Sequence, residues 1–156
     1  MTRSVRLHPE HAEDLAQLHA RVFRPEDTWD AAAFNDLLVQ PHTQAFGIFR
    51  DARLATFILI QFVRPEAEIL TIATAPDLQR LGLADNLVRD VEQHFRKDGL
   101  EKWLLDVAAD NEGALAFYRR LGFREDGRRP QYYQRLEGTR IDAILMSKHV
   151  SGQETT

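Results

Sequence analysis

The stretch Gln79-Arg80-Leu81-Gly82-Leu83-Ala84 (QRLGLA) decides the fold. It closes an apolar run (Ile69, Leu70, Ile72) and opens a segment in which Leu83, Leu87, Val91 and Phe95 recur at every fourth position, with Val88 alongside. An apolar run, a glycine turn and an amphipathic repeat describe a strand passing into a helix. The first N–H groups of such a helix lack internal acceptors and point one way, at the positive end of the helix dipole, so the turn suits an anion such as phosphate. Gly82 lets a ligand approach the backbone without a Cβ in the way, and Ala84 is the next smallest choice. Taken alone, the hexapeptide is equally compatible with an ordinary helix start.

Working outward, Ser4 to Leu7 reads as a short strand, and Leu15, Leu18 and Val22 as a helix ending near Phe23, before the break at Pro25. Asp30 caps a second helix through about Val39, with Trp29 and Phe34 on its apolar side and Pro41 beyond its end. Gln44 to Phe49 and Leu54 to Val63 flank Asp51-Ala52-Arg53 as a hairpin, and Pro65 separates the second of these from Glu66 to Thr74, giving an antiparallel meander. The helix from Leu83 to Lys97 stops at Gly99. The strand Lys102 to Ala108, reached through that helix, is expected parallel to the strand before QRLGLA. A further helix spans Asn111 to Leu121, capped by Asn111 or Asp110 and stopped by Gly122. Phe123 to Tyr133 and Thr139 to Lys148 form a terminal hairpin around Glu137 and Gly138, and the tail from Ser151 reads as frayed.

With 156 residues, 44% of them hydrophobic and 28% charged, the chain can bury one core without staples and falls among ordinary soluble proteins. We expect a single domain over residues 1–150 and a flexible tail over 151–156. A net charge of −4 speaks against a nucleic-acid partner. The absence of cysteine excludes disulfides, thiolate catalysis and sulfur-ligated zinc, and fits a reducing, cytoplasmic setting. No stretch has the length of a signal peptide's apolar region or of a membrane span, so no membrane partner is expected. The six histidines join no carboxylate cluster with ligand spacing, and no metal is expected. Arg119, Arg120, Arg128 and Arg129 form a basic patch that reads either as a solvated face or as a contact for a phosphate or an acidic peptide.

In this order of elements, with QRLGLA, LLDV and DNEGALAFYRRLGF following one another, nearly the whole chain resembles the GNAT acyltransferases. Gln79, Gly82 and Ala84 match that family's coenzyme A signature. The resemblance implies an α/β fold of mixed α+β type: a central, mostly antiparallel sheet with one splayed parallel strand pair and about four helices. It also implies acetyl-CoA as cosubstrate, with the pyrophosphate on the backbone amides of Gln79, Arg80, Leu81, Gly82, Leu83 and Ala84. The pantetheine arm would run along Ile72, Ala73 and Thr74, whose backbone would stabilise the oxyanion, and would contact Asn111 as well. The C-terminal half, NEGALAFYRRLGF followed by GRRPQYYQRLEGTRIDAILMSK, is similar to the RimI-type ribosomal-protein alanine N-acetyltransferases, which modify a terminal amine.

Within that resemblance Tyr118 is the general acid for the departing thiolate; read by its neighbours alone, it is a core tyrosine between Phe117 and Leu121. The base position holds Asp106 where the RimI-type enzymes carry Glu, a departure that shortens the side chain by one methylene and favours contact through a water. Glu68, on the strand leading into the coenzyme turn, is the alternative base. Trp29, Tyr132 and Tyr133 are expected to bind the acceptor, a protein or peptide N-terminus, with ribosomal proteins among the candidates and the enzyme a monomer or weak homodimer. A small-molecule amine acetyltransferase, or a coenzyme A-binding module without chemistry, would use the same scaffold.

Overall fold

The computed structural model describes residues 3–150. The elements in chain order are β1 (Val5–Leu7), α1 (Ala12–Val22), α2 (Ala31–Leu38), β2 (Thr43–Arg50), β3 (Arg53–Val63), β4 (Glu66–Thr74), α3 (Leu83–Arg96), β5 (Lys102–Ala108), α4 (Glu112–Arg120), β6 (Arg124–Gln134) and β7 (Arg140–His149). The strands form one 7-stranded sheet in the order β1-β2-β3-β4-β5-β7-β6. Every neighbouring pair is antiparallel except β4 and β5, which are parallel and joined through α3.

Local chemistry accounts for the element ends. The Asp30 carboxylate accepts the Ala33 N–H at 2.9 Å and so caps α2. Trp29, expected on the apolar side of that helix, precedes its cap, and its indole nevertheless packs on Phe34. Asp51 and Ala52 both take positive φ, 51° and 65°, the conformation that lets a two-residue loop join twisted strands. Asn111, not Asp110, caps α4 by accepting the Ala114 N–H at 3.1 Å, which leaves the Asp110 carboxylate for another partner. Pro130 is tolerated in β6 because that strand is the sheet's edge. The frayed tail expected from Ser151 lies outside the described residues.

Each face of the sheet carries its own core. Leu15, Leu18 and Phe34 from α1 and α2 cover Phe57, Leu59 and Ala73, whereas Leu87, Val91 and Phe95 of α3 with Leu115 and Tyr118 of α4 cover Ile58, Ile60, Trp103 and Ile144. Central β3 is thus apolar on both sides. The Trp103 indole N–H is buried but satisfied, donating to Glu92 of α3 at 2.9 Å.

Strand β4 has a bulge. The register with β3 passes from Ile69↔Ile60 to Thr71↔Leu59, so Leu70 is the extra residue. Ala67 and Ile69 pack toward α3, while Leu70 joins the core under α1 and Thr71 meets His19 of that helix. His19 is 1% exposed. Its Nδ1 accepts the Trp29 N–H at 3.1 Å, so the ring proton lies on Nε2, which donates to the Thr71 Oγ1 at 3.0 Å. The imidazole also stacks on Phe23 with centroids 4.0 Å apart. It therefore ties the segment between α1 and α2 to the bulged part of β4.

Burial lowers the His19 pKa from 6.5 to about 4, because the cation would lose its hydration. The folded state thus favours the neutral ring. That contribution is complete above pH 6.5 and is lost as the pH falls toward 4. Between pH 7 and pH 5 the wild-type protein should lose about 2 kcal/mol of unfolding free energy that His19→Gln does not lose, measured by urea denaturation of both at each pH.

Candidate active site

The parallel pairing of β4 with β5 runs from Glu66↔Lys102 to Ile69↔Leu105 and ends there. Both strands continue, β4 to Thr74 and β5 to Ala108, so a wedge opens between them directly beyond the last pair. Leu70, the bulged residue, sits at its apex. The β4 edge facing the wedge keeps backbone donors and acceptors that no strand pairs, while the other edge of Thr71 to Thr74 remains bonded to β3.

The turn into α3 lies at the mouth of this wedge. Its chain takes the left-handed region at Arg80 (φ 70°) and again at Gly82 (φ 78°). Asn86 is the first α3 residue whose N–H returns to a carbonyl, that of Gly82 at 3.0 Å, so the amides ahead of it point outward. A Cβ built on Gly82 meets nothing within 4 Å. Glycine is there for its φ and for open approach, not for tight packing against the protein. The Gln79 side chain is turned inward, its Nε2 donating to the Thr74 carbonyl at 3.2 Å, and so pins the turn to the end of β4. Thr56 braces the same end, donating to the Ala73 carbonyl at 2.9 Å and lying 3.0 Å from the Thr74 hydroxyl.

The two candidate bases are neighbours. Glu68 is in register with Leu104, and Asp106 is the next residue of β5 on that face. Burial raises the Glu68 pKa, the Asp106 carboxylate raises it further, and the Arg129 guanidinium opposes both. Asp106 itself is held by Arg129 at 3.7 Å. Tyr133 joins the group: burial first, then the charge of Asp106, pushes its phenol up to about 12. Tyr132 is 49% exposed, meets Tyr133 edge-on with centroids 5.2 Å apart, and carries the Arg129 guanidinium 4.9 Å above its ring.

Tyr118 takes the place in the core that its neighbours in sequence predict. Its ring belongs to the core, 5% exposed and edge-on to Phe117 and Phe123. Among the described residues its hydroxyl has no protein hydrogen-bond partner. Burial raises its pKa, with the charge of Tyr133 adding to the effect, and the proton is firmly retained near neutrality.

A cleft of about 430 Å³ adjoins this cluster, bounded by Glu26 and Asp27 on one side and by Tyr132, Tyr133 and Leu136 on the other. Trp29 is half-buried and is not among the residues lining it; its indole is stacked on His19 with centroids 5.3 Å apart. The basic patch read from the sequence is dispersed by pairing: Arg119 with Glu125, Arg120 with Asp85, Arg128 with Glu125 and Asp142, and Arg129 with Asp106. Sequence reasoning missed three residues that organise the site, His19, Thr56 and Arg135. His19 and Thr56 are polar residues within α1 and β3, and Arg135 lies in the connection after β6, so no local pattern marked any of them as buried. Among the described residues, no group of three or more His, Asp or Glu could hold a metal ion, and no helix is long and apolar enough to cross a membrane.

Comparison with known proteins gives consistent matches. The model of the acetyltransferase (GNAT) family covers residues 10–123. The [ribosomal protein bS18]-alanine N-acetyltransferase of Escherichia coli K12 is 37% identical over 106 residues, covering 68% of this chain and 71% of that protein. The N-alpha-acetyltransferase RimI of Mycobacterium tuberculosis is 34% identical over 141 residues, covering 88% and 85%. The crystal structure of the ribosomal-protein-S18-alanine N-acetyltransferase from Escherichia coli superposes with a TM-score of 0.86 over 100% of this chain and 99% of that one, at 28% identity.

The opposed influences on Glu68 can be separated by substitution. Asp106→Asn should lower the Glu68 pKa and Arg129→Gln should raise it, followed by NMR titration of the side-chain carboxyl carbon; shifts in the same direction would contradict the arrangement.

Proposed function

The chain belongs to the GNAT acetyltransferase family, and on that premise we propose that it transfers the acetyl group of acetyl-CoA to the N-terminal α-amine of a protein, of the ribosomal-protein alanine type, by direct attack in a ternary complex. The observation that carries this reading is the meeting of Glu68, Asp106, Tyr133 and Tyr118 beside the wedge between β4 and β5. We take residues 1–150 as one catalytic domain, acting in the cytoplasm as a monomer or weak homodimer.

The residues present fit the cosubstrate. Unpaired amides at the head of α3 and the open space over Gly82 suit a pyrophosphate at Gln79 to Ala84, and the free edge of β4 at Ile72, Ala73 and Thr74 suits an amide-bearing arm, with Asn111 at its flank. Acetyl-CoA supplies an activated thioester acyl group. The backbone N–H groups along Ile72 to Thr74 stabilise the charge that grows on the acyl oxygen as the amine attacks.

Glu68 takes the proton from the acceptor ammonium, directly or through a water. Its raised pKa moves it toward the operating pH, where a general base is most effective. Asp106 is tied to Arg129 and acts on the reaction through Glu68 and through any water the two share. Tyr118 keeps its proton near neutrality and delivers it to the sulfur as the C–S bond breaks. Tyr132 and Tyr133 flank the cleft in which the first acceptor residues lie, and Trp29, two residues beyond Asp27 of the opposite wall, anchors that segment on His19.

Thiol release with alanine- and serine-starting peptides tests the acceptor assignment. Such peptides should exceed polyamines and aminoglycosides in kcat/KM, and Tyr118→Phe should lower kcat by about a hundredfold while leaving acetyl-CoA affinity intact. Equal rates for free amines would instead favour a small-molecule acetyltransferase. An unchanged background rate in both wild type and Tyr118→Phe would indicate a coenzyme-binding module without chemistry. Separately, Gly82→Val should weaken acetyl-CoA binding at least about tenfold by calorimetry in a protein that still unfolds cooperatively, because the branched side chain enters the space above the amides and strains the left-handed backbone.

A further inference from the structure

Arg135 is the most deeply buried charged side chain of the hairpin formed by β6 and β7, at 3% exposure, and no step of the proposed chemistry uses it. Its guanidinium grips Asp110 with two donors, Nε to Oδ2 at 3.1 Å and Nη2 to Oδ1 at 2.8 Å. Its third nitrogen, Nη1, donates to Asp27 at 3.1 Å. Arg24 adds a second cation on Asp110 at 3.3 Å, so two arginines meet two carboxylates. The hydrogen bond to Arg135 keeps the Asp110 carboxyl below its usual range, so the network stays charged at neutral pH.

Two of the three elements joined here bound the cleft, and the third leads into the helix that carries Tyr118. Asp27 stands in the loop between α1 and α2, on the cleft wall opposite Tyr132 and Tyr133. Asp110 adjoins Asn111, the cap of the helix that carries Tyr118. Arg135 follows the tyrosine pair, with its guanidinium 5.9 Å from the Tyr133 ring centre. Among the described residues no backbone hydrogen bond links the segment 24–30 to the hairpin, so the two walls are spaced by side chains alone. A planar fork bonded on two sides fixes both distance and angle, which apolar contact between the same elements would not do.

We propose that Arg135 is a positioning residue that sets the width and alignment of the acceptor cleft, holding the loop of Asp27 and the tyrosine pair in register with Tyr118, without touching either substrate's reacting atoms. This rests on the acceptor reading given above. Removing the fork frees the two walls from one another while the wedge and the α3 turn, which contain none of these residues, keep their shape.

The test is steady-state thiol release with an alanine-starting hexapeptide, varying peptide and acetyl-CoA in turn. Arg135→Met should raise the peptide KM about tenfold and leave the acetyl-CoA KM within about twofold, the cost expected of misplacing an acceptor rather than losing a contact with the donor. Arg135→Lys, which keeps the charge but not the fork, should fall between the two. Asp27→Asn, at a partly exposed carboxylate, should show the same split in smaller measure with an unchanged melting temperature, and Arg135→Met with Asp27→Asn should be no worse than Arg135→Met alone. If Arg135→Met fails to fold, Asp27→Asn decides. An unchanged peptide KM in folded variants, or an acetyl-CoA KM that rises in step with it, would overturn the proposal. A wild-type enzyme inactive on every N-terminal peptide would sink the acceptor reading instead, and the same kinetic split would then be measured on the amine it does accept.

Discussion

The end of the pairing between β4 and β5 at Ile69↔Leu105 is the constraint from which the rest of the site follows. The bulge at Leu70 comes at the very next residue, and a bulge bends and twists its strand, so β4 is turned away from β5 where the pairing stops. The diverging edge is held in that course from the opposite side. Thr71 is bonded to His19, and Ala73 and Thr74 to Thr56. The wedge is therefore a braced opening in the middle of a sheet rather than a frayed margin. Helix α3 must start at its mouth, because the connection to a parallel neighbour has to leave from that end of β4.

The same divergence explains the electrostatics. Glu68 and Asp106 share a face of two parallel strands; burial is the main reason the Glu68 pKa rises, and the nearby Asp106 charge adds to it. Arg129 from the edge strand relieves part of it. The outcome is a carboxyl with a raised pKa beside two phenols that retain their protons, a division of acid and base roles set by surroundings rather than by residue type. Exposed pairs such as Arg53 with Asp77 contribute little to stability by comparison, whereas Arg135 is desolvated and bonded on two sides.

Much of this was legible in the sequence. The four-residue recurrence from Leu83 to Phe95, the glycines at 99 and 122 and the prolines at 25, 41 and 65 delimit the elements to within a residue or two, since periodicity and backbone restriction act locally. Gln79, Gly82 and Ala84 marked the turn, and Tyr118 the last helix. What stayed hidden was long-range. Arg135 is separated from Asp27 by 108 residues, and His19 from Thr71 by 52, and neither spacing follows any local period. Nor could the sequence choose between Asn111 and Asp110 as the cap of α4, because both are good caps and the choice falls to the arginine that claims Asp110.

The sequence by itself determined the order of strands and helices, the helix-opening turn and the set of titratable residues available for chemistry, because each of these is a property of neighbours along the chain. Only the tertiary structure decided which of those residues face one another. It brought Glu68 beside Asp106, placed the Tyr118 ring in the core next to Tyr133, and broke up the run of arginines into separate ion pairs. Those outcomes depend on strand register and on burial, which exist only once the sheet is assembled and shift every side chain's solvation and partners together.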